Sequence, residues 1–151
     1  MDDELRLLRE TQEILDTIND LFIGTDDRDW EKVARALAPR VEFDMKSLTG
    51  AESSTRDSAE IIAGWREGLR PLKAVHHQTG NFRVRVERDQ ADAFCYGIAL
   101  HYLPNASGRN TRTFVGSYDL HLKRDGGPWR IDRFRFNLKY IDGNLELERS
   151  S

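Results

Sequence analysis

The sequence predicts a single α+β domain over residues 1–151, in which three helices come first and a long antiparallel sheet follows. Its 151 residues correspond to about one domain, and 38% of them are hydrophobic, which is enough for a core. Apolar positions recur every three or four residues before Pro71 and alternate after it. Helices that precede a run of strands are typical of α+β proteins.

Three helices are predicted in the first half of the chain. The first covers residues 5–26, because several apolar side chains fall on one helical face: Leu8, Leu15, Ile18 and Phe22. Asp29 is the N-cap of a short second helix, which Pro39 ends. Asp57 or Ser58 begins the third, whose apolar stripe ends at Pro71.

Alternation predicts the strands. Residues 41–45 form a half-buried strand, and residues 50–57 are predicted to be a loop. Four longer strands follow, separated by turn residues, at 76–86, 91–103, 112–122 and 129–141. The polar tail after Gly143, from about residue 144, is predicted to be loose.

The strand at 91–103 is apolar on both faces. Phe94, Tyr96, Ile98 and Leu100 share one face, and small side chains share the other. A sheet that is apolar on both faces needs a second layer, and three helices cover only one. We therefore expect a partner subunit to cover the second face, in a homodimer or homotrimer.

Composition excludes several classes of protein. The chain has 26 acidic and 23 basic residues, for a net charge of −3, with no long block of like charge, which argues against a nucleic-acid partner. An acidic start and no apolar run near about 18 residues argue against a signal peptide or membrane span, so a soluble, cytoplasmic protein is expected. The single cysteine, Cys95, excludes an internal disulfide, although it leaves cysteine catalysis open. No phosphate loop, nucleophile elbow or zinc motif is present, so no cofactor or metal is expected.

Asp26 is the first candidate for chemistry. It follows Phe22 by four residues and Ile18 by eight, so it continues the apolar stripe if the first helix extends that far. A carboxylate that faces a core must find a partner. If the helix ends earlier, Asp26 is a solvated loop acid.

His76 and His77 begin a strand, so their side chains face opposite sides of the sheet. Strict alternation favours His76 as the inner residue, in phase with Phe82 and Val84. A bulge at Gly80 would reverse the phase and turn His77 inward. The pattern leaves both readings open, and a structural histidine is an alternative to a catalytic one.

His101 and Ser117 are further candidates on neighbouring strands. His101 follows a row of small residues that leaves room for either a cavity or a closely packed helix. Ser117 is in phase with Val115 and Asp119, on a strand that could face the same way. The last strand carries three arginines, which are predicted to lie on a face exposed to solvent or to a partner: Arg130, Arg133 and Arg135.

Nearly the whole chain resembles the SnoaL-like branch of the nuclear transport factor 2-like superfamily. The segments that carry the resemblance are residues 23–30, 37–44, 75–81 and 125–131. In motif they are similar to scytalone dehydratase and to hexachlorocyclohexane dehydrochlorinase. The resemblance implies a cone-shaped fold with three N-terminal helices packed on a curved antiparallel sheet.

The resemblance also implies roles for individual residues. Asp26 and His77 match the catalytic aspartate and histidine of these enzymes, while His101 and Ser117 match a further histidine and serine. The water-holding tyrosines of the dehydratase fall on Thr25 and Met45, and its cavity asparagine falls on Asp119, so scytalone itself is not expected as the substrate. Apolar walls are expected from Phe22, Phe43, Met45, Trp65 and Val115.

These residues together predict a cofactor-independent lyase or isomerase, of dehydratase or cyclase type. His77, oriented by Asp26, would remove a proton from a small apolar, cyclic or aromatic substrate. The alternative is a noncatalytic ligand-binding or assembly subunit, such as the small subunit of a ring-hydroxylating dioxygenase. An epoxide hydrolase of the limonene type is disfavoured because no Asp-Arg-Asp arrangement is evident.

Overall fold

Helices pack on one face of a six-stranded sheet in the computed structural model, which describes residues 2–150. This arrangement confirms the predicted α+β class. There are four α-helices: α1 (Asp3–Asp26), α2 (Trp30–Ala36), α3 (Lys46–Thr49) and α4 (Ser58–Leu69). Among the described residues, none of the helices has both the length and the apolar character needed to cross a membrane.

The helix ends follow their capping residues. Asp2 caps α1, and the Asp29 side chain accepts a hydrogen bond from the Lys32 backbone N–H at the start of α2. Before its last turn, the inner face of α1 buries four apolar side chains: Ile14, Ile18, Leu21 and Phe22. Asp26 is the last residue of α1, so the helix does extend far enough to point this carboxylate inward.

The strands lie in the order β2-β1-β6-β5-β4-β3. Their bounds are β1 (Leu37–Asp44), β2 (Ser54–Asp57), β3 (Ala74–Glu87), β4 (Gln90–Tyr102), β5 (Thr111–Lys123) and β6 (Arg130–Gly143). All neighbouring pairs are antiparallel except β1 and β6, which are parallel. The predicted loop at 50–57 is wrong in its second half, because residues 54–57 form an exposed edge strand that pairs with β1. An ion pair between Arg40 of β1 and Asp57 of β2 links the two strands.

A bulge interrupts β3. Its register against β4 shifts between Gly80 and Arg83, and Asn81 adopts a left-handed conformation with φ of 56°. One additional residue on a strand exchanges the two faces beyond it. Val84 therefore packs on the core downstream of the bulge, whereas Val75 and His77 face inward upstream.

The outer face of β4 is apolar and exposed in the single chain. Tyr96 is 45% exposed and Ile98 40%, and Leu100 and Tyr102 continue the same row. On β6, Arg133 pairs with Glu42 at 2.8 Å at an exposed site, as expected for a solvated strand face.

The C-terminal tail is ordered against the sheet, so the expectation of a loose tail is wrong. Gly143 turns the chain with φ of 90°, where a Cβ would lie 2.4 Å from the Thr111 carbonyl oxygen. A short 3₁₀ turn follows at Leu147–Arg149. Leu147 is fully buried with Leu72 and Val75, and the Asn144 side chain donates to the Arg109 carbonyl. Leu147 is thus the buried apolar side chain that anchors an otherwise largely polar tail.

Leu147→Ala is expected to lower the free energy of unfolding by about 2 kcal/mol or more, because it removes a fully buried side chain. Leu145, two residues earlier, is 59% exposed, and Leu145→Ala should change stability by less than about 0.5 kcal/mol. Urea unfolding of both variants measures the difference. Equal effects would mean that the tail does not belong to the cooperative folding unit.

Candidate active site

Asp26 and His77 form a paired contact at the end of α1. The Asp26 Oδ1 atom lies 2.6 Å from His77 Nδ1, and Asp26 Oδ2 accepts the backbone N–H of His77 at 2.8 Å. Both side chains are only 14% exposed. Since β3 is an edge strand, this N–H has no strand neighbour and the carboxylate satisfies it. A carboxylate at Nδ1 favours the Nδ1–H form, which leaves the lone pair on Nε2.

Local structure brings Asp26 to β3. Gly24 lets α2 pack closely on α1, because a Cβ there would lie 3.0 Å from Val33 Cγ2. Arg28, at φ of 55°, ends the helix in a left-handed conformation. Its guanidinium donates to the carbonyl of Leu72 at 2.6 Å and to that of Leu69 at 3.2 Å. These bonds tie the end of α1 to the turn that leads into β3.

His77 lines an apolar cavity of about 160 Å³ between the helices and the sheet. A cavity of about this size holds a single benzene ring. Of the predicted wall residues, Phe22, Met45 and Trp65 line it, and Thr25, the position that matches a dehydratase tyrosine, lines it as well. The Thr25 hydroxyl donates to the Leu21 carbonyl at 2.7 Å, so it is already engaged within the helix.

His101 lines the same cavity from β4. His77 pairs with Ala99 across the ladder, and His101 follows two residues later on the same face. The two histidines are therefore diagonal neighbours that line one cavity. Burial, followed by the positive charge of Arg112 and the neighbouring His77, lowers the pKa of His101 to about 4. The imidazole is therefore neutral at physiological pH.

Phe43 lies behind the cavity wall instead of on it. Its ring stacks on Phe134 with centroids 5.6 Å apart and contacts Trp65 edge-on at 5.9 Å. It supports the two aromatic side chains that face the cavity.

Ser117, Val115 and Asp119 face away from the cavity, contrary to their expected roles. Phe114 and Tyr118, which alternate with them on β5, line it. The Asn137 side chain donates to Ser117 Oγ at 3.2 Å and to Asp119 Oδ2 at 2.8 Å, on the opposite side of the sheet. A register difference of one residue exchanges the two faces of a strand, which is why the resemblance selected the wrong face here.

Several cavity residues were missed from the sequence, and Tyr118 is the most informative. Its ring is buried against Phe22, Phe134 and Phe136, and lies over Gly97, where a Cβ would be 2.2 Å from Tyr118 Cε2. Part of the small-residue row on β4 thus makes room for this ring. Alternation from Phe114 along β5 would have identified Tyr118 as an inner residue.

Cys95 does not take part in this site. It is fully buried in the core, and burial, assisted by the charge of Asp119, raises the pKa of its thiol to about 12. A thiol with this pKa carries almost no thiolate at neutral pH. Within residues 2–150, no three histidine, cysteine or carboxylate side chains converge in a way that could hold a metal ion.

The lowered pKa of His101 predicts a pH-dependent loss of stability. Unfolded His101 takes up a proton below its ordinary pKa of about 6.5, whereas the folded protein resists protonation down to about pH 4. The stability conferred by the neutral form is therefore present above pH 6.5 and is lost as the pH falls toward 4.

The stability advantage of the wild type over His101→Gln should consequently shrink as the pH falls from 7 to 4.5, by up to about 1.4 kcal/mol per pH unit. Urea unfolding of both proteins across this range gives the difference, in which the titration of Asp26, Glu148 and the other common groups cancels to first order. A constant difference would contradict the lowered pKa.

Comparisons with known proteins agree on the fold. No curated protein sequence matches the chain. The Kfla4162 protein from Kribbella flavida superimposes with a TM-score of 0.89 at 22% identity, covering 95% of this chain and 99% of that one. A type 3 hexachlorocyclohexane dehydrochlorinase from Novosphingobium barchaimii gives a TM-score of 0.77 at 18% identity, with 95% of each chain covered. A proposed scytalone dehydratase from Novosphingobium aromaticivorans gives 0.78 at 15% identity, covering 91% of this chain and 89% of that one.

At these identities the structural similarity establishes a shared fold, while the sequence itself identifies the family. The model of the SnoaL-like domain matches residues 6–135. Because this match spans most of the chain, the protein belongs to the SnoaL-like domain family.

Proposed function

We propose that this protein is a cofactor-independent lyase or isomerase that removes a proton from carbon in a small apolar substrate. The observation that carries the proposal is the 2.6 Å contact between Asp26 and His77 at the wall of an apolar cavity. Asp26 binds His77 at Nδ1, and Nε2 of the same ring has no hydrogen-bond partner among the described residues. Nε2 is therefore the atom available to act as a general base.

The proton would move from a substrate C–H to His77 Nε2, and the negative charge of Asp26 would stabilise the imidazolium that forms. The electron pair of the C–H bond would either form a double bond as a hydroxyl group leaves and takes the proton from the His77 imidazolium to become water, or spread onto a neighbouring carbonyl oxygen. The first route is a dehydration, and return of the proton at another carbon is an isomerisation. A hydrogen-bond donor beside the developing oxygen charge would lower the barrier further.

The cavity sets the kind of substrate. Its wall is mainly aliphatic and aromatic, with the polar groups supplied chiefly by the two histidines and the Tyr118 hydroxyl. A volume of about 160 Å³ suits a single ring with one or two oxygen atoms. Single-ring ketones and β-hydroxy ketones, such as 3-hydroxycyclohexanone, are the first compounds to test.

The wild type is expected to catalyse deuterium uptake from D₂O next to the carbonyl of such ketones, and loss of water from 3-hydroxycyclohexanone. Asp26→Asn and His77→Gln should each lower these rates by about 10² or more, because a general base contributes about 10² to 10⁴. NMR follows the exchange, and the absorbance of the enone follows the dehydration.

A second His–Asp contact supplies the matched control. His121 Nδ1 lies 2.5 Å from Asp132 Oδ1 on the outer face of the sheet, and its Nε2 contacts Gln90. Asp132→Asn removes the same kind of interaction away from the cavity, so it should leave the rates unchanged. Wild-type rates in Asp26→Asn or His77→Gln would remove the dyad from the mechanism.

The second candidate function is a noncatalytic assembly subunit, and the exposed apolar row on β4 favours it. The same face also suits self-association, which we propose as a homodimer or homotrimer of a stand-alone enzyme. Native mass spectrometry of the protein purified from its source separates the two cases. A small homo-oligomer supports the enzyme, whereas stoichiometric association with a larger chain supports the subunit.

A further inference from the structure

The tautomer of His101 is determined by a residue outside the cavity. His101 and Arg112 are directly opposite each other on β4 and β5, and Arg112 Nη2 lies 2.9 Å from His101 Nδ1. A guanidinium has only donors, so Nδ1 must be the acceptor in this bond. The neutral ring therefore carries its proton on Nε2, the opposite tautomer to that of His77.

Arg112 is itself held by the C-terminal tail. Its Nη1 donates to Glu148 Oε2 at 2.9 Å and its Nη2 to Glu148 Oε1 at 2.5 Å, which is a bidentate pair. The Arg112 side chain is 15% exposed and also lies over the ring of Phe114. With Glu148 in place, the guanidinium has a defined orientation against His101.

Glu148 is placed by the anchored tail described above. It belongs to the 3₁₀ turn at Leu147–Arg149, directly after the buried side chain of Leu147. Neither Glu148 nor Arg112 lines the cavity, so their contacts act on it through His101, which does.

The His101 Nε2 atom has no hydrogen-bond partner among residues 2–150, and the ring lines the cavity. A donor N–H in an apolar cavity is suited to an oxygen that gains negative charge. His77 and His101 would then act as an acceptor and a donor on the same small molecule.

We propose that Glu148 and Arg112 are positioning residues, through which the C-terminal tail holds His101 with Nε2–H directed at a substrate oxygen. This inference rests on the proposed function and narrows its substrate class to single-ring compounds with a carbonyl or phenol-type oxygen. It also assigns His101 as a neutral hydrogen-bond donor, in contrast to a charged acid.

The tautomer can be measured without turnover. Long-range ¹H–¹⁵N spectra of the folded protein distinguish Nε2–H from Nδ1–H histidine. We expect essentially pure Nε2–H at His101 in the wild type, and a measurable rise in the Nδ1–H fraction in Glu148→Ala, where Arg112 is no longer held against Nδ1. Glu146→Ala is the matched control, because Glu146 is in the same tail but its side chain pairs with the exposed Arg149. A mixed or Nδ1–H state in the wild type, or an Nδ1–H fraction in Glu148→Ala equal to that of the wild type, would overturn the proposal.

Ligand binding separates positioning from simple loss of structure. Phenol and toluene share one ring, but only phenol has an oxygen that can accept the Nε2–H bond. Glu148→Ala should raise the Kd of phenol about five- to tenfold, the effect of one hydrogen bond, and leave that of toluene unchanged. Glu148→Asp should recover part of the loss. Equal weakening of both ligands would indicate a collapsed cavity and would overturn the positioning role.

The two proposals fail differently. If the ketones show no exchange or dehydration while the tautomer and phenol results hold, the catalytic function is wrong and His101 is a donor in a binding site. If exchange depends on Asp26 and His77 but Glu148→Ala leaves the tautomer and the phenol affinity unchanged, the function stands and the role of the tail is wrong.

Discussion

One carboxylate, that of Asp26, joins the helical layer to the edge of the sheet. It binds the backbone N–H of His77 with one oxygen and the imidazole with the other. The first bond satisfies an edge-strand donor that β4 cannot reach, and the second orients the ring. Because the same carboxylate makes both hydrogen bonds, the orientation of the His77 ring depends on the docking of α1 on β3.

The residues around Asp26 position its carboxylate against β3. The helix α1 ends at Asp26, and α2 packs closely on it at Gly24. Arg28 then ties the end of the helix to the turn before β3. The bulge after Gly80 is needed for the other partner, since without it β3 would present His76 and turn His77 outward. The two left-handed backbone conformations at Arg28 and Asn81 therefore both help to form the contact between Asp26 and His77.

Periodicity predicted the major elements and their order, because long amphipathic segments outweigh local exceptions. It could not choose between His76 and His77, since a bulge depends on pairing with another strand. Motif resemblance paired Asp26 with His77, and the structure brings the two side chains into contact, but it placed Ser117 and Asp119 at a cavity from which they face away, because one residue of register changes the face. The docked tail was missed because composition marks residues 144–150 as polar, and burial of Leu147 depends on Leu72 and Val75, far away in sequence.

A histidine beside an aspartate is not by itself a site, as the contact between His121 and Asp132 demonstrates. There both imidazole nitrogens are engaged, one by Asp132 and one by Gln90, and the ring does not line the apolar cavity. His77 does line that cavity, and its Nε2 atom has no hydrogen-bond partner among residues 2–150. His101 has the reverse arrangement, with Nδ1 accepting from a cation and Nε2 left as a donor. The same side chain can thus serve as base or donor, and its partner at Nδ1 decides which.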